Sequence, residues 1–371
     1  MRYNWQQTDW PHFTWNLQGM EASFLQFSAD SGRMEGLLSG LPHSLQSDAL
    51  IALMVEEAIK TSAIEGEIIS RPDVFSSIRR QLGLDGASAA TKNKKARGLA
   101  EIMLDVRKTF AAKLTRQKLM TWHQLLFPSQ PHPKHPIIIG SWRTHPEPML
   151  VVSGPIGHEK IHFEAPPSDR VPSEMHSFIH WFNRTGPDGP DEIPVPLLRA
   201  AIAHLYFESI HPFEDGNGRI GRVIAEKALA QGLGRPVLLS LSRTIEAHKA
   251  AYYQALKTAQ RSNDVTAFVQ YFTKIALQAQ RDAENDVRFI LKKTQFLDQF
   301  RIMMNVRQEK VVLRMLSGGS KGFTGGMNAR KYMALTGTSK ATATRDLGEL
   351  LKWGVLKQIA AGRSTAYELT L

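Results

Sequence analysis

The chain has 371 residues, 42% of them hydrophobic and 22% charged. This is a globular composition with room for two or three domains, and it excludes a disordered tail protein or a fibre. There is no cysteine, which rules out disulfide scaffolds, thiolate zinc sites and cysteine nucleophiles, and the net charge of +11 points to anionic partners.

The N-terminus, MRYNWQQTDWPHFTW, lacks the basic start and apolar run of a secretory signal, and no apolar stretch approaches the ~18 residues that span a bilayer. A cytoplasmic protein with no membrane partner is expected. Charge is uneven along the chain: residues 1–70 carry 3 Lys/Arg against 9 Asp/Glu, whereas residues 301–371 carry 12 against 4. Such asymmetry suggests different partners for different segments.

Taken in order, residues 1–46 are rich in Trp and Phe at irregular spacing and read as a packed N-terminal extension. From Ser47 or Asp48 the pattern is helical, with Leu50, Met54, Ala58 and Ile59 on one face and a stop at Gly66. Residues 84–95 read as a polar connection that closes a 47–95 unit. Helices are predicted at about 95–112 and 115–127, and four prolines in 128–136 exclude helix there. Met149–Val152 and Lys160–Phe163 flank Ser153–Glu159, a hairpin signal. Further helices are predicted at about 173–183, 196–210, 219–231, 244–260 and 264–297. The 196–210 helix carries Leu198, Ile202, Leu205 and Ile210 on one face and should be central to the core of a 96–300 unit. Residues 301–371 read as three helices (307–316, 329–336, 338–353) and two strands (355–359, 365–369). The expected class is mostly α, with one short β-hairpin and a small C-terminal domain.

One stretch concentrates chemistry. His211-Pro-Phe-Glu-Asp-Gly-Asn-Gly-Arg-Ile-Gly-Arg222 joins a helix that must end before Pro212 to one that starts near Asn217–Arg219. The free N–H groups and dipole at that helix start favour phosphate. Gly216 and Gly218 let a ligand approach the backbone closely. Arg219 and Arg222, three residues apart, suit one polyanion, Asp215 is a hard oxygen ligand suited to Mg²⁺, and His211 accepts a proton near neutral pH. Gly216-x-Gly218-x-x-Gly221 is also a literal G-x-G-x-x-G, but a dinucleotide fingerprint follows a strand, and here a helix precedes it.

HPFEDGNGRIGR resembles the full signature of the Fic family, H-P-F-x-[D/E]-G-N-G-R-x-x-R, at every position. The resemblance extends over roughly residues 48–280. It implies a Fic-type helical core with a β-hairpin flap and transfer of AMP from ATP to a hydroxyl of a target protein. The related Doc toxins, which transfer phosphate, depart from the G-N-G-R core that is kept here. By resemblance, His211 is the general base and Asp215 holds Mg²⁺. Gly216, Asn217 and Gly218 form the anion hole, Arg219 grips the β-phosphate and Arg222 the γ-phosphate. Thr61-Ser-Ala-Ile-Glu65-Gly66 resembles the family's inhibitory motif, [S/T]-x-x-x-E-[G/N], in which Glu65 would occupy Arg222. The 149–163 hairpin resembles the flap, and Tyr252 and Tyr253 are candidates for the adenine pocket, with core packing as the alternative.

His176 and His180 lack the Glu and third ligand of a zinc helix, and His132 and His135 read as solvated loop residues. The 301–371 segment resembles a winged helix-turn-helix, with Ser339–Arg345 as a small, polar, basic helix start suited to a DNA groove. Expected partners are therefore ATP with Mg²⁺, a target protein, DNA through the C-terminal domain, and a second copy of the chain. Two alternatives stand beside AMP transfer: a DNA-binding regulator whose core senses nucleotide, and an enzyme that removes AMP, with Glu65 positioning the water.

Overall fold

The computed structural model describes residues 2–84, 92–131, 136–153, 160–360, 362 and 365–371. The loop of the expected hairpin, most of the 84–95 connection, and His132 and His135 lie outside these residues. The chain divides into two compact units, Met1–Leu37 with Leu50–Arg281, and Leu38–Ala49 with Asp282–Leu371.

The first unit is helical. Its elements are α1 (Glu21–Ser39), α2 (His43–Ile64), α3 (Arg71–Gln81), α4 (Lys94–Lys108), α5 (Arg116–Leu126), α6 (Val171–Arg184), α7 (Pro196–Ile210), α8 (Asn217–Leu233), α9 (Leu241–Ala247), α10 (Lys249–Ala259) and α11 (Thr266–Phe300), of which α1, α2 and α11 extend past its boundaries. Strands β1 (Leu150–Ser153) and β2 (Lys160–Glu164) pair antiparallel, with an irregularity between Val151 and Val152. Helix α7 is buried all round, every residue from Leu197 to Ile210, as an apolar helix at the centre of a domain must be. It packs chiefly along α8. The residues just before and just after the motif are therefore fixed by the core itself.

Two helices fall where none was expected. Helix α1 buries Phe27 and Met34, but Ser31 and Asp30 lie on the same side and interrupt the apolar signal. Helix α3 buries only Val74, Ser77 and Ile78, and its start is set by Ser70, whose hydroxyl accepts from the Asp73 N–H (3.4 Å). The single helix expected over 244–260 is two, broken at His248 without proline or glycine. The start of α9 is held by Glu57, which accepts from the Ser240 hydroxyl (2.7 Å) and the Ser242 N–H (3.0 Å). Tertiary anchoring of this kind overrides local propensity.

The second unit contains α12 (Val306–Leu316), α13 (Ala329–Thr336), α14 (Lys340–Lys352), β3 (Leu356–Ala360) and β4 (Ala366–Leu369), in the order the sequence suggested. Strands β3 and β4 pair antiparallel, and Met327 bridges Tyr367 beside them. Val311, Val312, Met315, Tyr332, Leu347, Leu350 and Val355 form the core. Asp346 is buried in it, accepting from Arg307 Nε (3.0 Å) and the Tyr332 hydroxyl (2.9 Å).

Candidate active site

The turn after α7 is set by its own residues. His211 takes a left-handed conformation (φ 52°), and Pro212 bars any continuation of the helix. The Asn217 side chain closes the loop on Phe213, its Oδ1 accepting from the Phe213 N–H (2.9 Å) and its Nδ2 donating to the Phe213 carbonyl (2.8 Å). Asp215 Oδ1 accepts from the Gly216 N–H (2.6 Å). Gly216 has φ 83°, and a Cβ there would sit 2.9 Å from the Phe127 ring, so both backbone and space require glycine. From that residue α8 begins, with its first N–H groups facing a cavity of about 560 Å³.

The cavity brings together most of the residues singled out from the sequence. Glu65, His211, Asp215, Gly216, Asn217, Gly218, Tyr252 and Tyr253 line it, with Val151, Val152, His162 and Phe163 from the hairpin and Lys249 and Lys257 from α10. Among the described residues, neither Arg219 nor Arg222 is part of that lining. Each is engaged by a carboxylate. Arg222 Nη2 donates to Glu65 Oε1 (2.7 Å) and to the Thr61 carbonyl (2.9 Å), and its Nε donates to the Thr61 hydroxyl (2.8 Å). Arg219 Nη1 donates to Glu67 Oε2 (2.5 Å), its Nη2 stands 3.6 Å from Asp215 Oδ1, and its guanidinium lies over the Phe127 ring. A Cβ on Gly218 would meet Glu65 Oε1 at 2.4 Å. The carboxylate thus sits directly on the start of α8.

The electrostatics follow from this packing. Burial, with the positive charge of Arg143 adding to it, pushes His211 down to about 4, so its imidazole is neutral at pH 7. Partial burial alone would raise Glu65; the charge and hydrogen bond of Arg222, with help from Arg219 and Lys249, outweigh it and hold the carboxyl below its usual range. Glu208 goes the other way, pushed up to about 8 by burial. The Asp215 side chain keeps 43% of its surface and remains the open carboxylate of the loop.

The two tyrosines separate. Tyr252 is buried and its hydroxyl bonds His204 Nε2 (2.8 Å), whereas Tyr253 is 40% exposed and faces the cavity under Lys249.

Three positions escape a reading by motif. Arg143, 1% exposed, donates from Nε to the His211 carbonyl (2.8 Å) and from Nη2 to the Pro166 carbonyl (2.5 Å), while its N–H bonds the Pro212 carbonyl (3.0 Å). It caps the end of α7 where no glycine does. His123 accepts from the Gly140 N–H at Nδ1 (2.8 Å), faces the Asp215 carbonyl with Nε2 (3.2 Å) and stacks on Phe213. Glu67 holds Arg219. Only Glu67 has a local signal, an acidic residue two after Glu65 at the same helix end. Arg143 lies in a segment without a pattern, and His123 lies on a predicted helix, α5, that carries no chemical motif.

Comparison with known proteins agrees with this geometry. Residues 113–229 match the Fic/DOC family, and residues 3–84 match a domain of unknown function, DUF4172. A protein adenylyltransferase Fic from Nematostella vectensis is 25% identical over 58% of this chain and 45% of its own length. Protein adenylyltransferase fic-1 from Caenorhabditis briggsae is 32% identical over 28% of this chain and 18% of its own. The chain thus spans less than half the length of these relatives. Among solved structures, a Fic family protein from Desulfovibrio desulfuricans G20 shares the fold at TM-score 0.50 and 19% identity, over 94% of this chain and 96% of its own. A Fic domain containing signaling protein from Bacteroides thetaiotaomicron does so at TM-score 0.53 and 16% identity, over 72% and 97%. The HPFEDGNGRIGR loop seated between α7 and α8 thus lies inside the segment, residues 113–229, that matches the Fic/DOC family.

Proposed function

We propose that the chain is a protein adenylyltransferase, moving AMP from ATP to a hydroxyl side chain of a target protein, and that Glu65 holds this activity down. The supporting observation is the grouping around one cavity of a neutral imidazole, an open carboxylate and the N-terminus of α8. In this reading the His211 imidazole takes the proton of the target hydroxyl. Its oxygen bonds to the α-phosphorus, the bond from that phosphorus to the β-phosphate bridge breaks, and pyrophosphate leaves. Asn217 and Gly218 present backbone N–H groups to the phosphates, joined by Gly216 once Asp215 turns from its N–H, Arg219 and Arg222 take the β- and γ-phosphates once their carboxylates let go, and Tyr253 borders the adenine.

Among the described residues no three His, Asp or Glu side chains cluster into a metal cage. Mg²⁺ needs none, because it keeps waters and takes phosphate oxygens with one or two protein carboxylates, and Asp215 offers one. Bound there with ATP, Mg²⁺ would neutralise phosphate charge.

Glu65 inhibits by occupying Arg222 and by covering the start of α8, so that ATP binds with its α-phosphorus out of line. The test is to incubate the chain and its Glu65→Gly form with labelled ATP and Mg²⁺, alone and with lysate. Label on protein, stronger in the variant and absent in EDTA, is the expected result. No label in either form overturns AMP transfer. Loss of label in the variant, together with slower AMP release from a labelled target, would favour AMP removal instead.

DNA is the proposed partner of the second unit. On α14 the exposed positions are Lys340, Ala341, Thr344, Arg345, Gly348, Leu351 and Lys352, while Asp346 is turned into the core. A basic face with Asp346 withdrawn and Glu349 bonded by Gln308 (2.8 Å) suits a phosphate backbone. A mobility shift that weakens steeply with salt is expected, and one that survives deletion of residues 301–371 would overturn it.

A further inference from the structure

Helix α2 ends in a cap that carries two carboxylates, not one. The Gly66 N–H bonds the Ala63 carbonyl (3.1 Å), the Glu67 N–H reaches back to the Ser62 carbonyl (2.9 Å), and Gly66 takes φ 82°. These are the two bonds and the left-handed residue of a Schellman cap. The cap fixes Glu65 and Glu67 relative to each other, on either side of Gly66. Opposite them, on the first turns of α8, stand Arg222 and Arg219. Glu65 bonds the first and Glu67 the second, at 2.7 and 2.5 Å. Glu67 is itself steadied from α4, where Lys95 Nζ donates to its other oxygen (2.6 Å). The Arg219 side chain is only 4% exposed, so its guanidinium is committed to Glu67, Asp215 and the face of Phe127.

We propose that Glu67 is a second inhibitory carboxylate, occupying Arg219 as Glu65 occupies Arg222, so that both phosphate-binding arginines are locked by one helix cap. This rests on the proposed reading of Arg219 as a phosphate ligand. Removing Glu65 alone then frees half of the site. The two locks also differ in kind. Glu65 covers the helix start and so governs alignment for attack. Glu67 meets α8 through the Arg219 guanidinium, and governs whether that arginine is available to bind. Its release should lower the KM for ATP more than it raises kcat.

The experiment measures Mg-ATP affinity by calorimetry and self-labelling with labelled ATP, on the full chain, for Glu65→Gly, Glu67→Gln and the double variant. Glu67→Gln keeps the side chain's shape while removing its charge. Glu56→Gln serves as a control, since it removes an ion pair of the same helix, with Arg71, away from the cavity. Relative to Glu65→Gly alone, the double variant should bind Mg-ATP several-fold more tightly, with KM falling and kcat changed by less than a factor of two. The gain should vanish when Arg219→Ala is added. Unchanged or weaker Mg-ATP binding in the double variant, a gain that persists without Arg219, or an equal gain from Glu56→Gln overturns the second lock. If Glu65→Gly labels protein but Glu67→Gln adds nothing, the second lock fails and AMP transfer stands. If no variant labels protein yet Glu67→Gln tightens Mg-ATP through Arg219, the lock stands and AMP transfer fails.

Discussion

Two stretches meet at the start of α8, and they are held in opposite ways. The loop 211–217 is closed by short-range bonds, Asn217 to Phe213 across four residues and Asp215 to its neighbour Gly216. The end of α2 reaches the same place through charged partners 152 and 157 residues away, Glu67 to Arg219 and Glu65 to Arg222. Local hydrogen bonds rebuild themselves whatever the rest of the chain does. Long-range ion pairs between partly exposed carboxylates and covered arginines exchange when a stronger anion arrives. His211, the helix start and the glycines are thus preformed, and the replaceable part of the site is its charge pairing. A nucleotide phosphate is the kind of anion that competes for both arginines.

The most direct way to break the loop's side of the comparison is His211→Ala. It should lower AMP transfer by ~10²–10⁴-fold and leave Mg-ATP binding nearly intact, because a general base acts in the transition state. Transfer within twofold of the parent rules out His211 as the base.

On the other side, Glu65→Gly should raise self-labelling. A hydrogen bond to a charged group contributes about 1.5–3 kcal/mol, so the gain should be roughly 10- to 100-fold. In an Arg222→Ala background the same change should do nothing, since the two residues act as one pair. Additive effects of the two substitutions exclude the pair as the mechanism.

A smaller effect is expected at Arg143, which joins the two kinds of holding: a distant residue that fixes a local turn. Arg143→Met removes donors from the His211 and Pro166 carbonyls. The imidazole then loses its orientation, and transfer should fall about tenfold with Mg-ATP affinity little changed. Stability should fall by about 1–3 kcal/mol, from carbonyls left unpaired. An equal loss of affinity and rate instead marks a role in nucleotide binding.

Arg143 also shows where the sequence stops being legible. His211, Asp215, Gly216–Gly218, Arg219 and Arg222 announce themselves because loop chemistry is local: proline ends a helix, glycine admits a ligand, and a helix start attracts anions. Glu65 was readable because it sits at a helix end marked by Gly66. Arg143 and His123 serve the same few ångströms from distant segments, and no spacing rule reaches them. The fold follows the same division. The ends of α7 and α8 lie within two residues of expectation, since proline and glycine set them. The start of α9, by contrast, is held by Glu57 from another helix, which no local pattern encodes.

Asn217 tests whether the loop is held independently of catalysis. Its amide makes both bonds to Phe213, and Asn217 is 2% exposed. Asn217→Ala should cost about 1–3 kcal/mol of stability, from two polar groups left without partners. Chemical denaturation of the parent and variant measures it directly. A change under about 0.5 kcal/mol shows that the loop is carried by the packing of α7 and α8 rather than by this side chain.

The last expected effect is on the pH dependence of stability, and it tests how far burial dominates the core beneath the site. His123, His204 and His211 are all pushed down to about 4, by burial first. Glu208 and Glu226 are pushed up to about 8, again by burial first. Below pH 6.5 the unfolded chain protonates the three imidazoles while the folded chain does not, so their contribution is lost as pH falls toward 4. Above pH 4.5 the unfolded chain ionises the two carboxyls while the folded chain keeps them protonated, so their contribution is lost as pH rises toward 8. Between 4.5 and 6.5 the balance is three protons against two, and stability rises with pH. Between 6.5 and 8 only the carboxyls count, and it falls. Each proton corresponds to about 1.4 kcal/mol per pH unit. Denaturant titrations at pH 5.5, 6.5 and 7.5 should therefore peak near 6.5. Glu226→Gln should halve the alkaline slope and leave the acid slope steeper, because one of the opposing carboxyls is gone. Stability that climbs through pH 8 would show that these two carboxyls are already ionised in the folded protein, with Arg222 and Arg107 outweighing burial.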